Sequence, residues 1–142
     1  MFIIFLDIDG VLTTVNSEYD EQGIVFDPSA IAWLNKLFAK IDCKIVVSSA
    51  WRESYRLDEL RRELRNLNVE IDSTTPVLSH RGIEIQTWLT ENKHSNCYLV
   101  IDDNIKEIEQ CIPKKNIIYV ENGFEERGFS KIHYQMALDK IS

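Results

Sequence analysis

Short, continuously apolar runs alternate along this chain with segments whose apolar residues fall at helical spacing. Residues 2–6, Phe2-Ile3-Ile4-Phe5-Leu6, predict a strand buried on both faces. Residues 11–26 alternate loosely and carry Gly23, which predicts a small hairpin or flap. Asp27-Pro28 is an N-cap followed by proline at the first helical position, and Ile31, Leu34, Leu37, Phe38 and Ile41 then make one stripe. Cys43 to Val47 reads as a second buried strand. Residues 55–67 read as a helix with Leu57, Leu60, Leu64 and Leu67 inward and its arginines outward. A weak strand is expected near Val69-Glu70-Ile71, before a Ser73-Thr74-Thr75-Pro76 turn. Gly82–Glu91 predicts a helix, Tyr98–Ile101 a strand, 104–111 a short helix and Asn116–Val120 a strand. Ser130 caps a last helix that runs through Ile141.

Alternation of this kind is the signature of a parallel sheet covered on both faces. The expected fold is α/β and doubly wound: a Rossmann-like three-layer sandwich with a central, mostly parallel sheet of about five strands and a small hairpin flap. The length of 142 residues fits one domain, and no repeat or linker interrupts it. In such folds ligands bind beyond the carboxyl ends of the strands.

Composition narrows the function. With 44% hydrophobic and 27% charged residues the chain is ordinary globular material. Its net charge of −7 argues against coating nucleic acid by bulk electrostatics, though a contact limited to one terminus is compatible with it. No apolar run approaches the ~18 residues of a membrane span. Met1–Leu6 lacks a basic flank and runs straight into Asp7, so neither a signal peptide nor a membrane association is expected. Cys43, Cys97 and Cys111 make no CxxC pair, two of them begin apolar runs where a reduced Cys acts as a small buried hydrophobe, and a reducing cytoplasm fits. His80, His94 and His133 show no metal-ligand spacing.

The strand ends carry the chemistry. The first candidate strand closes in Asp7-Ile8-Asp9-Gly10, the second in Ser48-Ser49-Ala50 and the fourth in Asp102-Asp103. A parallel sheet brings these ends to one edge, where like charges ~4 Å apart repel by ~4 kcal/mol at an effective dielectric of ~20. A hard cation relieves that repulsion, and an oxygen-rich carboxylate site suits Mg²⁺. Helix capping could account for Asp102 or Asp103 alone. It does not account for Asp7, because nothing helical begins there.

Asp7-Ile8-Asp9-Gly10-Val11-Leu12 after an apolar strand resembles the first motif of the haloacid dehalogenase (HAD) superfamily of phosphatases. Lys44-Ile45-Val46-Val47-Ser48-Ser49-Ala50 resembles the second motif, with Ser49 as the hydroxyl and Ser48 as the competing choice. Arg81 best meets the third, and Leu99-Val100-Ile101-Asp102-Asp103 resembles the fourth. The resemblance spans residues 2 to about 120. Ser48-Ser49-Ala50-Trp51-Arg52 with Arg81-Gly82-Ile83-Glu84-Ile85 and Trp88-Leu89 also resembles a small HAD subgroup, some of whose relatives accompany nucleic-acid repair enzymes.

The resemblance implies a role for each residue. Asp7 is the nucleophile that forms an aspartyl-phosphate, and Asp9 is the acid/base that serves the leaving oxygen and then water. Mg²⁺ is held by Asp7, the backbone carbonyl of Asp9 and Asp103, with Asp102 acting through water or as an outer acceptor. Ser49 and Arg81 bind the non-reacting phosphate oxygens. Arg52 begins a basic run through Arg56, Arg61, Arg62 and Arg65 that is interleaved with Glu53, Glu59 and Glu63. A solvated face with salt bridges is the simpler account of the run, and Arg52, nearest the second motif, is the candidate for phosphate contact.

Many HAD enzymes that act on small metabolites insert a cap domain. Between Leu12 and Asp27 there is room here for a hairpin only, and between Arg52 and His80 one helix and one short strand consume the length. A capless member with an open site is therefore expected. Its expected substrate is a phosphate displayed on a macromolecule, either a phosphoprotein or a nucleic-acid end. The alternatives are a small phosphate ester with a lid supplied by oligomerisation, or a non-catalytic or receiver-like signalling module. Receivers place adjacent acids after the first strand, whereas here they follow the fourth.

Overall fold

The computed structural model describes residues 1–94 and 97–141. Strand β1 (Phe2–Leu6) is followed by a two-stranded antiparallel hairpin, β2 (Tyr19–Asp20) and β3 (Gly23–Ile24). Then come α1 (Pro28–Phe38), β4 (Cys43–Val47), α2 (Trp51–Ser54), α3 (Leu57–Glu63) and β5 (Ile71–Thr74). The chain continues through α4 (Arg81–Glu91), β6 (Tyr98–Asp102), β7 (Ile117–Tyr119) and α5 (Lys131–Ile141). The main sheet has the order β5-β4-β1-β6-β7, and every pair in it is parallel. This is the expected α/β architecture with a hairpin and without a large cap.

Alternation along β1 builds the two covered faces. Ile4 and Leu6 pack with Leu34 and Leu37 of α1, Leu60 of α3 and Tyr134 and Ala137 of α5. Ile3 and Phe5 point the other way, against Ile85, Trp88 and Leu89 of α4 and Ile108, Ile112 and Ile117. Ile4, Phe5 and Leu6 are fully buried, and burying each such side chain contributes about 1.5–3 kcal/mol. Helix α1 starts as its sequence predicts: the Asp27 carboxylate accepts a hydrogen bond from the Ser29 N–H, and Pro28 occupies the first helical position.

Three expectations need correcting. The helix expected over 55–67 is shorter, spanning Leu57–Glu63, because Tyr55 is extended and separates it from the extra turn α2, while residues 64–67 form turns. Glu59 reaches back to the Arg56 N–H and starts α3 afresh. Residues 104–111 form turns rather than a regular helix, with isolated bonds such as Glu109 N–H to the Ile105 carbonyl. A single turn pinned by Ile108 and Ile112 gains too few backbone bonds to propagate. Strand β5 begins at Ile71 and takes in Ser73 and Thr74, which were expected in a turn. Pairing with Val46 and Val47 supplies their backbone partners, and an edge strand tolerates hydroxyl side chains.

Candidate active site

Parallel pairing places the ends of β1, β4 and β6 at one edge of the sheet. Asp7 leaves β1 with its N–H on the Ile101 carbonyl at 3.0 Å, and Asp102 is the last residue of β6. Asp7 and Asp102 are buried and Asp103 is half-buried, with one carboxylate oxygen from each lying within 4.8 Å of the others. Burial, followed by the Asp102 charge, holds the Asp7 carboxyl well above the usual carboxylate range, although Arg81 pulls it down. Burial likewise lifts Asp102 to about 6, against Arg81 and the Asn104 N–H. Such a concentration of charge calls for a cation, and three hard oxygen donors converging from two strand ends fit Mg²⁺. Gly10 makes the convergence possible: its φ is +83°, and a Cβ there would overlap the Asp103 carboxylate.

Asp9 stands apart from this cluster. It is exposed, and its carboxylate accepts from Thr13 Oγ1 at 2.9 Å and from Trp51 Nε1 at 3.2 Å. Of the two candidate hydroxyls, Ser49 lines the cleft and also accepts from the Trp51 N–H at 3.2 Å. Ser48 Oγ is fully buried without a hydrogen-bond partner and lies off the cleft. Arg81 opens α4, one residue earlier than expected, and its Nη1 lies 3.0 Å from Asp102 Oδ2 and 3.8 Å from Asp7 Oδ1. A cation at a helix start opposes the macrodipole. Here Asp7 and Asp102 offset that penalty, and Glu107 accepts from the Arg81 N–H.

Arg52 is neither solvated nor on the cleft. Its side chain is 3% exposed and forms a 2.7 Å ion pair with Glu84, itself 6% exposed. Its remaining N–H groups reach the carbonyls of Ser49, Thr75 and Pro76. Glu84 also accepts from the Leu78 N–H at 2.7 Å and lies 3.6 Å from Arg81 Nε. A chain of charges, buried except at the partly exposed Arg81, therefore runs from Arg52 through Glu84 and Arg81 to Asp102 and Asp7. Arg61 stays on the exposed face, as do Arg56, Arg62 and Arg65, and donates from there to the Ile71 and Asp72 carbonyls.

The cleft above these residues has a volume of about 650 Å³, with Asn104, Lys106, Glu107, Phe124 and Glu125 along its wall. Against this geometry, the family of HAD domains in Swiss Army Knife RNA repair proteins matches residues 3–131. The chain belongs to that family. Its structure also resembles that of a Streptomyces avermitilis protein assigned to the HAD family hydrolases. The TM-score is 0.54 over 96% of this chain and 86% of the other, at 12% identity, a level at which the fold is what the two share. No curated protein sequence matches the chain.

In this HAD domain the acidic and hydroxyl candidates Asp7, Asp9, Ser49, Asp102 and Asp103 line one cleft together with Arg81. Family membership removes the receiver-like alternative. Among the described residues no helix is long and apolar enough to cross a membrane. Glu84, Trp51 and Thr13 carry parts of the site that sequence reasoning did not assign. Only the resemblance of Ser48-Ser49-Ala50-Trp51-Arg52 and Arg81-Gly82-Ile83-Glu84-Ile85 to a small HAD subgroup hinted at two of them. Glu84→Ala strands the Arg52 guanidinium in the interior and releases Arg81, a loss of about 3–5 kcal/mol of stability. Urea unfolding is expected to show a lowered midpoint, and Arg52→Ala in the Glu84→Ala background is expected to recover part of it.

Proposed function

We propose that this HAD-type hydrolase is a Mg²⁺-dependent phosphomonoesterase that works through an aspartyl-phosphate on Asp7 and removes a terminal phosphate from a nucleic-acid end, RNA above all. The convergence of Asp7, Asp102 and Asp103 beside Arg81 and Ser49 at one cleft carries this reading.

A carboxylate oxygen of Asp7 forms the bond to phosphorus as the bond to the leaving oxygen breaks. Asp9 gives its proton to that oxygen, and then takes one from the water that opens the acyl-phosphate. Arg81 and the Ser49 hydroxyl hold the non-reacting oxygens and follow their charge through the transition state. Mg²⁺ would be held by Asp7, Asp103 and the Asp9 carbonyl, with Asp102 alongside, and would supply the charge neutralisation that lets an anion approach an anionic phosphate.

The substrate class rests on the open cleft and on the RNA repair proteins for which the family is described. Arg81 and Lys106 are the basic residues of the wall, set against Glu107 and Glu125, which suits one terminal phosphate better than a long run of backbone. The test is phosphate release with Mg²⁺ from 3′- and 5′-phosphorylated oligoribonucleotides, phosphopeptides, nucleotides and sugar phosphates. The expected result is turnover of an oligoribonucleotide with a specificity constant ten-fold or more above the rest, abolished by EDTA. Preference for a phosphopeptide or a sugar phosphate overturns the substrate, and undiminished turnover after metal stripping overturns the metal dependence.

A further inference from the structure

We propose that Trp51 is the positioning residue for Asp9: its indole N–H fixes the carboxylate in the orientation that proton transfer needs. The inference rests on Asp9 being the acid/base. Asp9 is exposed, and an exposed aspartate ordinarily samples several rotamers. Here each carboxylate oxygen takes one donor, Thr13 Oγ1 on Oδ1 and Trp51 Nε1 on Oδ2. Thr13 belongs to the same turn as Asp9 and moves with it. Trp51 directly follows the second motif, opens the one-turn helix α2, and ties Asp9 to the end of a different strand of the sheet, β4.

The indole can serve this purpose because it is itself held. Its backbone N–H sits on Ser49 Oγ, the Tyr55 ring stacks on it at 5.1 Å and 18°, and Phe26 lies 5.6 Å away. An indole N–H only donates, so it needs an acceptor, which Asp9 Oδ2 supplies. Trp51 does not line the cleft, and its other tie to the site is its backbone N–H on Ser49 Oγ, which a change of side chain retains, so loss of the indole N–H acts through Asp9. Misplacing a reacting group by ~1 Å costs up to about 10²-fold, which makes restraint of a single exposed carboxylate measurable.

Trp51→Phe keeps the ring and the stack and deletes only the donor. Two first-step rates are read: rapid-quench phosphoryl transfer from an alkyl phosphomonoester, and the burst of p-nitrophenol from its phosphate. The alkyl ester is the RNA 3′-phosphate, or glycerol phosphate if RNA is not turned over. With the poor alkoxide leaving group Trp51→Phe is expected to slow transfer about ten-fold, while the p-nitrophenol burst changes less than about two-fold. Asp9→Ala, run beside it, is expected to show the same split in larger measure. A Trp51→Phe chain that matches wild type, or that slows both substrates equally, overturns the proposal while the acid/base reading stands. An Asp9→Ala chain that matches wild type on both overturns the reading itself, and the proposal with it.

Discussion

Asp7→Asn is expected to reduce turnover roughly 10⁴-fold or more, the scale seen when a covalent nucleophile is removed from a preorganised site. The amide is nearly isosteric, so Arg81 and Asp102 keep their places while the attacking lone pair is lost. The same substitution is expected to leave the metal-free protein at least as stable as wild type. Asp7 is 7% exposed, and burial and the neighbouring Asp102 both disfavour its charge. Because these folded-state carboxyls titrate above their ordinary values, the native protein binds more protons than the unfolded chain. Metal-free wild type therefore loses stability as pH rises from the usual carboxylate range through about 6, where Asp102 titrates. Asp7→Asn flattens that decline. Thermal unfolding in EDTA at several pH values checks the stability, and phosphate release with Mg²⁺ checks the turnover. An active Asp7→Asn chain, free of deamidation, ends the covalent mechanism.

Asp9→Asn is expected to cost about 10²–10⁴-fold with an alkyl phosphate, because protonation of a departing alkoxide is then the difficult part. With p-nitrophenyl phosphate the leaving group needs no proton and the first step survives. Hydrolysis of the aspartyl-phosphate still lacks its base, so a burst of p-nitrophenol is followed by slow turnover. Intact-mass spectrometry in the slow phase is expected to show one added phosphoryl group, and mapping to place it on Asp7. Phosphate found instead on Asp102 or Asp103 means that the nucleophile is misassigned. Both acids lie beside Asp7 in the cluster, so the measurement is a discriminating one.

The acidic site was legible because it depends on little beyond strand polarity. Phe2–Leu6 and Tyr98–Ile101 are apolar runs that end abruptly in aspartate, and parallel pairing then puts Asp7 and Asp102 at the same edge whatever packs around them. The need for glycine at position 10 became visible only in the structure, where its φ is positive and the Asp103 carboxylate occupies the place of a Cβ.

Arg52 and Trp51 were not legible in the same way. Periodicity reports which apolar residues face the core, and an arginine buried by an ion pair looks in sequence like one in water. Only the packing of α4 against the end of β5 brings Glu84 to Arg52, and only the break at Tyr55 frees α2 to carry Trp51 toward Asp9. Sequence by itself therefore determined the parallel sheet, its acidic edge and the acids on it, because each apolar run and the polar residue that ends it are local features. The tertiary structure decided how Trp51 and Arg81 hold those acids in place, because these contacts join residues far apart in the chain and need the helices packed on the sheet.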